Sequence, residues 1–169
     1  MITTFARGAL ATASLVLLAT PVLADDSGHA GSWTAQITKQ EARPLGSPDH
    51  VLVAQVAQGT NRSMGSASVF EGAQVLFSET MELKQGNGPQ HGLISFIDAK
   101  GSQTNEYQGK ITTTMAGDQP RTGGEGTWKF VSGTGAYQDA TGSGTYKFTI
   151  TSQTEFKGEW KESMKSTSR

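Results

Sequence analysis

Cysteine is absent from this 169-residue chain. Its absence excludes disulfides, Cys-based zinc sites and Cys nucleophiles together, so packing and backbone hydrogen bonding must carry the stability. Charge is sparse as well. Fourteen basic and 15 acidic residues give a formal net charge of −1, and they are interspersed without a basic block, which excludes the electrostatic footprint of nucleic-acid or anionic-membrane binding. The three histidines, His29, His50 and His91, are too widely spaced for a zinc motif, so neither a metal nor a cofactor is expected. No Gly-x-Ser-x-Gly elbow is present to anchor a hydrolase triad. Walker and Rossmann fingerprints are missing too: in Gly133-Thr134-Gly135 the third glycine of the pattern is replaced by Gln138.

Long apolar runs are confined to the first two dozen residues. Arg7 precedes Ala9–Ala19, which is too short to span a bilayer with ease, and Val22-Leu23-Ala24 places small residues where a signal peptidase reads. Residues 1–24 therefore read as a signal peptide cleaved before Asp25. Asp25–Arg169 then forms one exported domain, periplasmic or extracellular, with no membrane association after cleavage.

What is abundant is glycine, 21 residues, and alternation. Gly31–Thr38 sets Trp33, Ala35 and Ile37 against Ser32, Thr34 and Gln36, the period of a half-buried strand. Lys39–His50, with Pro44, Gly46 and Pro48, reads as a loop. Val51–Gln58 is apolar on both phases, which predicts a strand covered on both faces. Gly59–Ser68 reads as a link, and Asn61-Arg62-Ser63 within it fits a glycosylation sequon. Further strands are expected at Gln74–Lys84, His91–Asp98, Asn105–Thr114, Gly126–Phe130, Gly144–Phe148 and Thr154–Lys161, with Gly117–Gly126 as a turn-rich stretch and a fraying tail from Glu162. Eight strand candidates and no substantial helix after the signal peptide predict an all-β domain, an eight-stranded antiparallel barrel in preference to a sandwich, because closure removes exposed edges. Trp128, Phe130, Tyr146, Phe148, Phe156 and Trp160 share inward phases and predict one contiguous core.

The run Gly133-Thr134-Gly135-Ala136-Tyr137-Gln138-Asp139-Ala140-Thr141-Gly142-Ser143-Gly144 resembles the glycine-rich signature between two late strands of the allene oxide cyclase and dirigent barrels. The likeness spans the last third of the chain, Gly124–Trp160. It implies a calycin-like, eight-stranded barrel with an apolar cavity, assembled as a homo-oligomer, a dimer or a trimer. In the plant relatives that cavity steers cyclisation or radical coupling of an apolar or phenolic intermediate. No catalytic residue of those families maps onto a position here. Gly31-Ser32-Trp33 is also similar to the Gly-x-Trp that opens lipocalin-type barrels.

One carboxylate breaks an apolar phase. Val75, Phe77, Met81 and Leu83 alternate inward along Gln74–Lys84, and Glu79 falls between them. Turned into a barrel, its pKa would rise by desolvation, as a general acid requires; a bulge or a partner side chain would remove that effect. Glu79 is the candidate catalytic residue. Trp33, Phe77, Tyr107, Trp128 and Tyr146 are the candidate ligand-binding residues, their rings serving either as core or as pocket wall. His91 shares a phase with Leu93 and Ser95, at a cavity mouth or solvated at a strand end. Three functions stay open: a barrel binding a small apolar or aromatic molecule, a cyclase or isomerase acting on an apolar intermediate, and a solid-core interaction protein.

Overall fold

The computed structural model describes residues 28–65 and 68–163. The expected signal peptide and the last residues of the tail lie outside them. Eight strands follow one another: β1 (Ala30–Ser47), β2 (His50–Met64), β3 (Gln74–Lys84), β4 (Gly88–Asp98), β5 (Gly101–Ala116), β6 (Gln119–Gly135), β7 (Ser143–Ile150) and β8 (Glu155–Glu162). Each pairs antiparallel with its sequence neighbour, and β8 pairs back onto β1 from Gln36↔Glu155 to Ala30↔Lys161, closing the barrel. The alternation that marks the strands also decides which side faces in. Along β3 every odd residue from Val75 to Met81 is buried and every even one exposed, as a period of two on a closed wall demands.

Two stretches expected to be loops are strand. Lys39–Ser47 extends β1 and pairs with His50–Val56 of β2. Pro44 fits there because pairing of β1 to β8 stops at Gln36, leaving the proline's other side without a ladder to interrupt. Gln119–Gly126 belongs to β6, turning from β5 at Gly117-Asp118. These glycines lie inside a strand because neighbouring backbone and rings occupy the space a Cβ would need; at Gly124 that is the Phe148 ring. The expected link after Gly59 is likewise strand as far as Met64. Beyond the expected fraying point, Ser163 still donates its N–H to the Ser143 carbonyl at 2.7 Å.

Three further expectations are corrected. β2 is covered on one face only, since Leu52 and Val56 point outward at 40% and 43% exposure. Asn61 is fully buried; its amide donates to the Phe70 carbonyl at 2.9 Å and accepts the Trp160 indole N–H at 2.9 Å, so the sequon is not presented at the surface. Phe130 is half-buried and belongs to neither apolar cluster, whereas Trp128, Tyr146, Phe156 and Trp160 are core and Phe148 packs against it. A bulge at Val131, opposite the Thr104–Asn105 junction, shifts the register beside Phe130.

The interior divides into two clusters. At the end carrying the β2–β3, β4–β5 and β6–β7 connections, the rings of Trp33, Phe70, Phe96, Trp128 and Trp160 form an aromatic mass. At the opposite end Val53, Met81 and Ile111 form a small aliphatic group. Phe148 touches both.

Candidate functional site

Between the clusters lies a polar layer, assembled by the register of the strands. One ladder row crosses the wall as Gln55↔Glu79↔Gly92↔Tyr107↔Trp128↔Gly144, from β2 to β7. Gly92 stands between Glu79 and Tyr107. A Cβ at that position would sit 2.6 Å from the Tyr107 hydroxyl and 2.8 Å from the Glu79 Cβ, so its absence lets the phenol reach across β4. The next row runs Gln90↔Gly109↔Gly126↔Tyr146. A Cβ on Gly109 would meet the Tyr146 hydroxyl. Glycine at these positions clears the inner face so that the Tyr107 phenol reaches Glu79 and the Tyr146 phenol reaches Gln90.

The resulting network is dense. Gln55 Nε2 donates to Glu79 Oε1 at 2.7 Å, while Tyr107 Oη, at 2.9 Å, and Gln90 Nε2 both donate to Oε2. Tyr146 Oη donates to Gln90 Oε1 at 3.0 Å, and Gln40 Nε2 to Gln55 Oε1 at 2.7 Å. Glu79, Gln55 and Gln90 are buried. None of the ion pairs among the described residues involves Glu79. Desolvation therefore dominates and raises the Glu79 pKa above its ordinary value, against the lowering effect of the three hydrogen bonds from Gln90, Tyr107 and Gln55. Desolvation, reinforced by the negative Glu79, also pushes the Tyr107 phenol well up, and it raises Tyr146 for the same two reasons. Both phenols are proton donors at any ordinary pH. A carboxylate offers about four lone-pair sites; three are filled, and one on Oε1 is open.

The layer borders a cavity of about 40 Å³ walled by the aromatic cluster, with Glu79 as the one charge-bearing side chain among its described lining. That is room for one or two waters, well under the ~300 Å³ of small drug-binding pockets. Phe70 closes its aromatic end, stacked on Phe96 at 4.8 Å and beside Tyr137 at 5.0 Å, with a backbone φ of 59° that is uncommon for a bulky residue. The three tryptophans each lie over a cross-strand glycine: Trp33 over Gly158, Trp128 over Gly144 and Trp160 over Gly31. Trp160 has its partner in Asn61. The indole nitrogens of Trp33 and Trp128 are buried with no hydrogen-bond partner among the described residues.

The structure brings together all six residues singled out from sequence. Glu79 faces inward, and Trp33, Phe77, Tyr107, Trp128 and Tyr146 line the same cavity. His91 does not join them: it is exposed on the outer face, because the inward phase of β4 is Gln90, Gly92, Ile94 and Phe96. Sequence reasoning passed over Gln55 and Gln90. Gln55 shares the inward phase of Val53 and Ala57, a signal as strong as that of Glu79, whereas Gln90 follows a turn and carried none. His29 and His50 pair with Glu162 and Glu82, each at 2.9 Å. Among the described residues no group of three or more potential metal ligands is found.

No protein-family model matches the chain, and no curated protein matches it in sequence.

Proposed function

We propose that this chain is an exported binding barrel that takes a small apolar or aromatic molecule between its aromatic cluster and the Glu79 layer. The observation that carries this reading is the inner carboxyl group held by Gln55, Gln90 and Tyr107 with no cation beside it. A core serving stability alone gains nothing from it, since apolar side chains of similar volume pack as well or better than buried charge. Departures from the apolar rule concentrate where function requires them. The open lone pair on Oε1 gives a ligand hydroxyl or N–H its anchor, and the rings supply apolar contact. Because the closed cavity holds only about 40 Å³, a ring-sized ligand enters by displacing the Phe70 side chain. Export is supported by Arg7, the apolar run and Val22-Leu23-Ala24, and a mature N-terminus at Asp25 checks it. The resemblance to allene oxide cyclase and dirigent barrels supports the same use of the interior.

Thermal denaturation with ethylbenzene, 4-ethylphenol and acetophenone tests the reading. A ligand of the folded state raises Tm in a concentration-dependent way, by the equivalent of about 2.7 kcal/mol at a hundred times its Kd. At least one compound is expected to do so, and Glu79→Gln is expected to keep the fold while weakening 4-ethylphenol. If none of the three moves Tm and Glu79→Leu raises it, the interior is a packed core and the binding reading falls.

A cyclase or isomerase is the second reading, favoured by the raised Glu79 pKa beside the Tyr107 phenol. A carboxyl group whose pKa is raised by desolvation keeps its proton to higher pH than a free one and so can hand it to a bound intermediate. In that case Glu79→Gln abolishes turnover and retains binding.

A further inference from the structure

The polar layer accounts for one contact of a bound molecule; two further donors belong to residues that line the same cavity. Trp33 and Trp128 are each more than nine-tenths buried. Both line the cavity, and neither indole N–H has a partner among the described residues. A buried donor left unmade costs the full desolvation of the group. The contrast with Trp160 is instructive, for it lies in the same ring cluster and is satisfied by Asn61 at 2.9 Å. Where the fold needed only a packed indole, it supplied an acceptor.

Resting on the binding reading above, we propose that the Trp33 and Trp128 N–H groups recognise an oxygen acceptor on the ligand, a neutral carbonyl or ether oxygen. An indole donates and never accepts, so the complementary atom must carry a lone pair. Neutrality follows from Glu79, the one charge-bearing side chain among the described lining, since an anionic ligand oxygen would be placed in the same low-dielectric space as that carboxyl. The favoured class is therefore a small, mostly apolar molecule with a carbonyl or ether oxygen at the tryptophan end and, where it also has a hydroxyl, that donor at the Glu79 end. A hydrocarbon of the same shape leaves both donors unmade and is discriminated against.

Acetophenone and ethylbenzene are matched in shape and differ in the acceptor. With ¹⁵N-labelled protein the three tryptophans give three indole Nε1–H resonances, assigned by Trp33→Phe, Trp128→Phe and Trp160→Phe. Acetophenone is expected to move the Trp33 or Trp128 resonance downfield and leave Trp160 in place, and to bind about tenfold more tightly than ethylbenzene, the worth of roughly one hydrogen bond. In Trp33→Phe or Trp128→Phe that preference should shrink to near unity. Equal binding of the two compounds, with neither resonance shifted, overturns the acceptor assignment and leaves the binding reading standing. Binding of neither compound overturns the acceptor assignment, and the binding reading falls with it only if 4-ethylphenol also fails to bind and Glu79→Leu raises Tm. If both resonances show contact with a long-lived water that persists at saturating acetophenone, the donors serve hydration and the assignment falls.

Discussion

The two ends of the barrel are built on different terms. At one end the rings of Phe70, Phe96, Trp128 and Trp160 interlock at centroid distances of 4.8 to 6.3 Å, and Asn61 ties the closing segment to the tryptophan behind it. At the other end Val53, Met81 and Ile111 are the whole of the buried group. Beyond them the β5–β6 hairpin extends past its neighbours to expose Met115 at 66%. Aromatic side chains bury the most area per residue and add geometry-dependent ring contacts. The aromatic end is thus where the fold is anchored. The aliphatic end closes the barrel with little mass, and the polar layer marks the boundary.

Trp160→Ala should cause the largest loss, about 3–5 kcal/mol as for other buried aromatic truncations, read as a fall in denaturation midpoint. It removes ring contacts and leaves Asn61 without its donor. An unchanged midpoint would break the claim that this end anchors the fold. Gly92→Ala acts at the boundary. Its methyl group must push Tyr107 or Glu79 aside, so a cost of about 1–3 kcal/mol is expected from overpacking, together with a change in the Tyr107 ring resonances measured by NMR. Ile111→Val, at the aliphatic end, should cost only about 0.5–1.5 kcal/mol and leave tryptophan fluorescence as it was. A larger loss there than at Trp160 would invert the comparison.

The finest distinction is in pH. Glu79 has a folded pKa above its ordinary 4.5, so over the window between these values the native state binds more protons than the unfolded one. Its contribution to stability is full below pH 4.5 and is lost as pH rises through the folded value. Denaturation midpoints compared across that window should fall with rising pH for the wild type relative to Glu79→Gln, in which the group no longer titrates. Parallel profiles would show that Glu79 is not held in a desolvated site.

Much of this was readable from residues in order. The inward phases of β3, of Tyr107 and Ile111 on β5, and of Phe156 and Trp160 on β8 follow from alternation, which the pleat imposes locally. Pro44 and the Gly123-Gly124 pair misled for the opposite reason. Residue type argues for a turn, but a strand edge tolerates the proline, and the Phe148 ring lying against Gly124 makes glycine the fitting residue inside the strand. Gln90 stayed hidden because its role depends on Tyr146, 56 positions away, reaching over two glycines of other strands.

The sequence by itself determined an all-β chain, the places where most strands run and the side each residue presents, because a period of two is a property of short segments. Only the tertiary structure decided that Glu79 meets Gln55, Gln90 and Tyr107, that the Trp160 N–H finds Asn61, and that the N–H groups of Trp33 and Trp128 find no acceptor among the described residues. Those outcomes depend on ring closure and on register between strands, which couple side chains as far apart in sequence as Asn61 and Trp160, 99 positions, through space that no local pattern describes.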